Sequence, residues 1–164
     1  MPCRGGGTLS DSKETDYAAG SESAMVMLAT LASGMDFIIH ACGILDSFNI
    51  IGYEKFMLDE QIIMAAQHML ADLKLDDHAF GLEAIMSVEH GGQYLVTAHT
   101  VKNMRKALFV PGLSLHGGYG VWVKAGRKTL TELAREAVKK RLETYTQPPL
   151  EPESSALVEK YLLR

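Results

Sequence analysis

The chain has 164 residues, 47% of them hydrophobic, and a formal net charge of −4. This is enough apolar material for one buried core, and the negative balance excludes a surface that grips phosphate backbones along its whole extent. The apolar run from Ala24 to Leu45 is broken by Gly34 and Asp36, which argues for a buried helix then a buried strand rather than a membrane span. The opening MPCRGGGTLSDSKETD lacks the charged start and apolar stretch of a secretory signal. Cys3 and Cys42, without CxxC spacing, fit free thiols in a reducing cytoplasm.

Residues 1–16 read as a loop, because three consecutive glycines followed by Ser, Thr and Asp offer no packing pattern. From about Asp16 to Ala32 the recurrence of Ala18, Met25, Leu28 and Leu31 predicts a helix, which Gly34 stops. Met35 to Leu45 then reads as one continuous apolar strand, the kind used by parallel sheets covered with helices. Residues 54–73 predict a helix with Phe56, Ile62, Ile63, Ala66, Leu70 and Leu73 on one side, and Glu60, Gln67 and Lys74 elsewhere. Asp76 or Asp77 caps a further helix carrying Phe80, Ile85 and Val88, ended by Gly91-Gly92.

A short helix around Thr97 to Lys106 follows, and Pro111 with Gly112, Gly117, Gly118 and Gly120 marks an irregular connection. Thr129 and Glu132 form a capping-box pattern before Leu130, Leu133, Ala137, Val138 and Leu142. QPPLEPESS reads as a linker and SALVEKYLLR as a last helix. A single parallel strand leaves its backbone groups unpaired, so its partner lies either in a segment read as loop or outside the chain. The second is the expectation.

One cluster invites a metal reading: Glu89, His90, His99 and Arg105 around the Gly91-Gly92 pair. The two histidines have no HExxH or other tight ligand spacing, so no metal is expected, and Glu89 and Arg105 are assigned to caps and ion pairs.

Several phrases occur in order: GGGTLSDSK, AGSESAM opening a helix, a strand ending HACG, YEKFMLDEQI, HGGQYLVTAHTVKNMR, and Trp122 to Gly126 as W-x-x-x-G. Together they resemble the C-terminal part of the trimethylamine methyltransferase family across nearly the whole chain. The stretch LFVPGLSLHGGYGVWV departs from the family by its glycine content. The resemblance implies a helix-rich α/β fold, the C-terminal part of a (β/α)8 TIM-type barrel with a helical C-terminal extension. Residues 1–128 would supply the last βα units and appended helices, and 129–164 the C-terminal helices and Pro-rich tail.

A complete barrel takes about 250 residues, so the chain is expected to be a C-terminal fragment, inactive and prone to associate by itself. Some family members read an in-frame amber codon as pyrrolysine, which would then be encoded upstream of Met1.

The family activity moves a methyl group from a methylated amine, trimethylamine or a related quaternary amine, to the Co(I) of a cognate corrinoid protein. The resemblance therefore implies no cofactor bound directly, a corrinoid carried by the partner, a homo-oligomer in the full-length form, and neither nucleic acid nor membrane as partner. Reacting groups of such barrels sit beyond the C-terminal ends of strands. That rule selects the opening loop and its helix (Thr8, Asp11, Lys13, Asp16, Glu22) and the strand end at His40 and Cys42, followed by Asp46. Carboxylates there would hold a cationic amine. Helix-capping acids and a packed histidine are the competing structural reading. No catalytic acid is assigned. A different class of protein, a small helical binding module, would use GRKTLTELAREAVKKRL, but Glu132, Glu136 and Glu143 interleave with its bases and read as a solvated face with i,i+4 pairs.

Overall fold

A computed structural model describes residues 1–114, 116–149 and 151–162. Its organising unit is strand, helix, strand. β1 (Arg4–Gly6) pairs in parallel with β2 (Phe37–Ile39), with Arg4 opposite Phe37 and Gly6 opposite Ile39, and α1 (Tyr17–Ala32) connects them. β3 (Ile44–Leu45) and β4 (Ile50–Ile51) form a small antiparallel pair around the turn Asp46–Phe48. α2 (Tyr53–Met69) follows, then α3 (Asp77–Phe80), α4 (Leu82–Met86), α5 (Ala98–Ala107), α6 (Tyr119–Lys124), α7 (Leu130–Glu143) and α8 (Pro152–Leu162). The fold is α/β and helix-rich with few strands, as expected.

The first sixteen residues are not all loop, because Arg4–Gly6 is a strand and supplies β2 with a partner inside the chain. The glycines are what permit it. A Cβ on Gly5 would lie 2.9 Å from Thr30 Cγ2 of α1, and one on Gly7 would lie 2.4 Å from Ala41 Cα. The segment from Met35 to Leu45 is likewise two strands rather than one. His40 takes a positive φ of 53° and Gly43 one of 85°, and these left-handed residues turn the chain out of β2 before β3 begins.

Helix ends follow the local rules. Asp16 caps α1 by accepting from the Ala19 amide at 2.8 Å, Asp76 caps α3 through Ala79, and Thr129 with Glu132 forms the full reciprocal box on α7. The predicted helix from Asp77 to Val88 is broken at Gly81, whose φ of 64° is left-handed and on which a Cβ would lie 3.3 Å from the His99 ring. Gly120, assigned to an irregular connection, is inside α6, and the last helix begins earlier than expected, at Pro152.

The core is small and centred on α2, which packs between α1 and α7. α1 presents Ala19, Ser23 and Met27 at helical spacing, and α7 presents the fully buried Ala134. Small side chains let the helix axes approach, and burying Met27 contributes roughly 1.5–3 kcal/mol. The predicted apolar face of α2 holds at Ala66, which is buried, and is corrected elsewhere: Phe56 and Leu70 are each 41% exposed, whereas Lys55, Met57 and Asp59 are buried. Two charges on α7 reach across to α2, while Glu136 pairs with Lys128 just ahead of the helix. Arg135 meets Glu54 at 2.8 Å and Arg141 grips both oxygens of Glu60 at 2.9 Å.

The accessible surface is 12873 Å², against about 8,000 Å² for a compact monomer of this mass. Phe37, Met25 and Ile51 are among many large apolar side chains left exposed. No helix among the described residues is long and apolar enough to cross a membrane.

The contact at Gly7 gives a direct test of β1. Gly7→Ala forces the strand ends apart, and urea unfolding is expected to show a loss of about 1–3 kcal/mol, the usual range for overpacking. A wild-type midpoint would mean that the loop after β1 does not lie against Ala41.

Candidate active site at the ends of the parallel strands

Beyond Gly6 and Ile39, the loop that leaves β1 folds against the turn between β3 and β4. The Asp46 amide donates to the Ser12 carbonyl at 3.0 Å and the Ser47 amide to the Ser10 carbonyl at 3.4 Å. Four of the residues singled out from the sequence, Asp11, Lys13, Glu22 and Asp46, meet here. Glu22, on α1, accepts from the Ser10 hydroxyl at 2.6 Å and from the Asp11 amide at 2.9 Å. Asp11 in turn accepts from the Ser47 hydroxyl. Lys13 donates to the Asp11 carbonyl at 2.7 Å and pairs with Asp46 at 3.3 Å. The result is an anionic rim of three carboxylates, Asp11, Glu22 and Asp46, with one ammonium on it.

Asp16 joins this group only through Ser12, whose hydroxyl donates to it at 2.9 Å. The Ala19 amide and then the Ser12 hydroxyl hold its carboxyl below the ordinary value of 3.8. A depressed folded-state pKa means that the cap is complete above 3.8 and is lost as the pH falls through the lower folded value. Asp16 also borders a cavity of about 540 Å³ that reaches Lys55, Asp59, Ile62, Phe109 and Leu130, a volume within the range of small-molecule sites. His40 bonds to none of the other four among the described residues. Its exposed ring stands edge-on to Phe48, with centroids 5.1 Å apart. Thr8 is fully buried and donates to the Ala41 carbonyl at 2.6 Å, which makes it a tie between the loops rather than a ligand group.

Backbone strain gathers at the same place. His40, Asp46, Ser47 and Phe48 all have positive φ without being glycine. Each such residue costs about 1–3 kcal/mol and persists only where its surroundings over-determine it.

Under the loops lies a pair that sequence reasoning passed over. The Lys55 ammonium donates to Asp59 Oδ2 at 2.6 Å, to Ser23 Oγ at 2.8 Å and to the Thr8 carbonyl at 3.0 Å. Asp59 Oδ2 also accepts from the Gly43 amide at 2.7 Å. Both side chains are 2% exposed. The signal was present: Lys55 and Asp59 continue the buried stripe of Ala66 at i, i+4 and i+11, so two charges occupy core positions.

The segment 89–105 gathers no metal-binding cluster among the described residues. His99 Nε2 donates to the His78 carbonyl at 2.7 Å and the two rings are 5.0 Å apart. Neither Glu89 nor Arg105 makes the expected ion pair among the described residues. Cys3 and Cys42 are not bridged.

Cys42 is held as the protonated thiol at neutral pH. Burial, and then the charges of Asp59 and Glu60, push its thiol up to about 11. Iodoacetamide at pH 8 is therefore expected to alkylate the exposed Cys3 and spare Cys42, whose labelling should rise only as the pH approaches 11. Equal rates for the two thiols at pH 8, read by peptide mass spectrometry, would contradict this environment.

The trimethylamine methyltransferase (MTTB) family profile matches residues 1–164. The chain is 33% identical to the glycine betaine methyltransferase of Desulfitobacterium hafniense strain Y51, over 99% of this chain and 34% of that protein. It is 28% identical to the proline betaine:corrinoid methyltransferase of Eubacterium limosum, over 99% of the chain and 34% of the relative. With a trimethylamine methyltransferase of Methanosarcina mazei the identity is 25%, over 92% of the chain and 30% of the relative. The chain thus spans about a third of the length of the curated relatives it matches. A match over every residue, with the quoted phrases in order, makes this chain a member of the trimethylamine methyltransferase family.

Proposed function

We propose that the chain takes part in methyl transfer from a quaternary methylated amine to the cobalt of a corrinoid carried by a partner protein. In this reading β1, α1 and β2 are a βα unit of a (β/α)8 barrel, and the rim of Asp11, Glu22 and Asp46 lies at the catalytic face. The observation that carries it is that rim: Asp11 and Glu22 held by hydroxyls and an amide, with Asp46 paired to Lys13, beyond the C-terminal ends of two parallel strands.

The chemistry fits the charge. A quaternary ammonium cannot donate a hydrogen bond, so it is held by carboxylates and by aromatic faces, here Phe48 and His40. When its C–N bond breaks, the bonding pair stays on nitrogen and the amine leaves neutral, so no proton has to be supplied to it. This agrees with the lack of an assigned acid. The corrinoid supplies the Co(I) nucleophile; the residues of this chain would bind the cation, orient it and keep the site anionic before transfer. None of them is assigned to hold the corrinoid.

A betaine, which carries its own carboxylate, is favoured over trimethylamine. Lys13 is an ammonium 3.3 Å from Asp46 on the same rim, and the glycine betaine relative is more similar to the chain than the trimethylamine one is.

The test uses the chain alone and a chimera in which it replaces the matching third of the Desulfitobacterium enzyme. Consumption of free cob(I)alamin is followed spectrally with glycine betaine, L-carnitine and trimethylamine. The chimera is expected to turn over a betaine, with Glu22→Gln and Asp11→Asn each lowering kcat/KM by about 10- to 100-fold, the worth of one or two charge-assisted contacts. No turnover of any of the three, or turnover indifferent to both substitutions, would overturn the reading.

A further inference from the structure

The Lys55–Asp59 pair is hard to explain by stability alone. Replacing a buried ion pair with apolar residues of similar volume is often neutral or stabilising. What such residues cannot supply is the set of directed bonds this pair makes. All three ammonium protons are used, on Asp59, Ser23 and Thr8, and one carboxylate oxygen takes both Lys55 and the Gly43 amide. Thr8 belongs to the loop after β1 and Gly43 to the loop after β2. The first loop carries Asp11 and Lys13; the second carries His40 and leads through β3 into the turn that holds Asp46 and Phe48. The same bonds anchor both loops to α1 through Ser23 and to α2.

We propose that Lys55 and Asp59 are positioning residues that hold the two site loops in fixed relation to each other. Lys55 and Asp59 touch no ligand in this role. They set the separation of Asp11 and Lys13 from His40, Asp46 and Phe48, and they hold the left-handed turn at Asp46–Phe48 against its tendency to relax. This rests on the functional reading of the loops, but its first test does not need that reading.

The experiment compares the full chain with Lys55→Met/Asp59→Leu by urea unfolding and residue-resolved amide hydrogen exchange. The apolar pair is expected to keep the wild-type unfolding midpoint. The Gly43 and Asp46 amides should nonetheless exchange at least tenfold faster, while amides of α7 are unchanged, because local opening is independent of global unfolding. Wild-type exchange at Gly43 and Asp46 in a fully stable double variant would overturn the proposal. If the double variant does not fold, Ser23→Ala, which removes one of the three acceptors of Lys55, decides it. Faster exchange at Thr8 and Gly43 supports the positioning role, and unchanged exchange refutes it. Glycine betaine titrated onto the wild-type chain, read as amide shifts at Asp11, Glu22 and Ser47, tests the functional reading separately. Its failure with faster loop exchange in the variant would sink the substrate assignment and leave the positioning role standing.

Discussion

Taking an ammonium and a carboxylate out of water costs several kcal/mol for each ion, and the arrangement of this chain follows from how that cost is met at Lys55 and Asp59. The two ions are 2.6 Å apart and almost without solvent exposure, so every remaining proton and lone pair needs a fixed partner. The partners come from four different elements: the Thr8 carbonyl beyond β1, Ser23 on α1, the Gly43 amide beyond β2, and α2 itself. None can move far without stranding a charge. The small residues beside them, Ala19 and Ser23 on α1, are then required by distance as much as by hydrophobicity.

The anionic rim rests on this frame and differs from it in kind. The rim carboxylates reach water, whereas the pair beneath them does not. A closed ion pair therefore sits below an open set of negative groups, and of the two it is the rim that a cation arriving from solvent meets. The cluster of left-handed residues belongs to the rim too, where hydrogen bonds donated by Asp46 and Ser47 to the Ser12 and Ser10 carbonyls and to the Asp11 carboxylate offset the local backbone cost.

How much of this was legible depended on sequence distance. The caps at Asp16, Asp76 and Thr129 act over three residues, so the side chain and its target appear in one glance at the sequence. Asp11, Lys13 and Glu22 were found because a strand end was sought there, and the structure does join them. β1 was missed because its evidence is the absence of side chains: glycines announce a loop unless the crowding by Thr30 and Ala41 is known. The Lys55–Asp59 pair was missed for the opposite reason. Charged residues are assumed to face water, although their spacing placed them on the buried stripe of α2.

The two contacts between α2 and α7 had no local signal at all, since Glu54 and Arg135, and Glu60 and Arg141, are each 81 residues apart. Individually such half-exposed pairs stabilise by about 0–1 kcal/mol. Their common offset matters more than their strength. Because the carboxylates and the guanidinium groups share one interval along their helices, both pairs close together only when the helices run in the same direction at a single axial alignment. A slide of one turn, about 5.4 Å, would unmake both at once. The pairs thus act as a vernier on the outside of the molecule, fixing where Ala134 meets α2 although neither pair is part of the core.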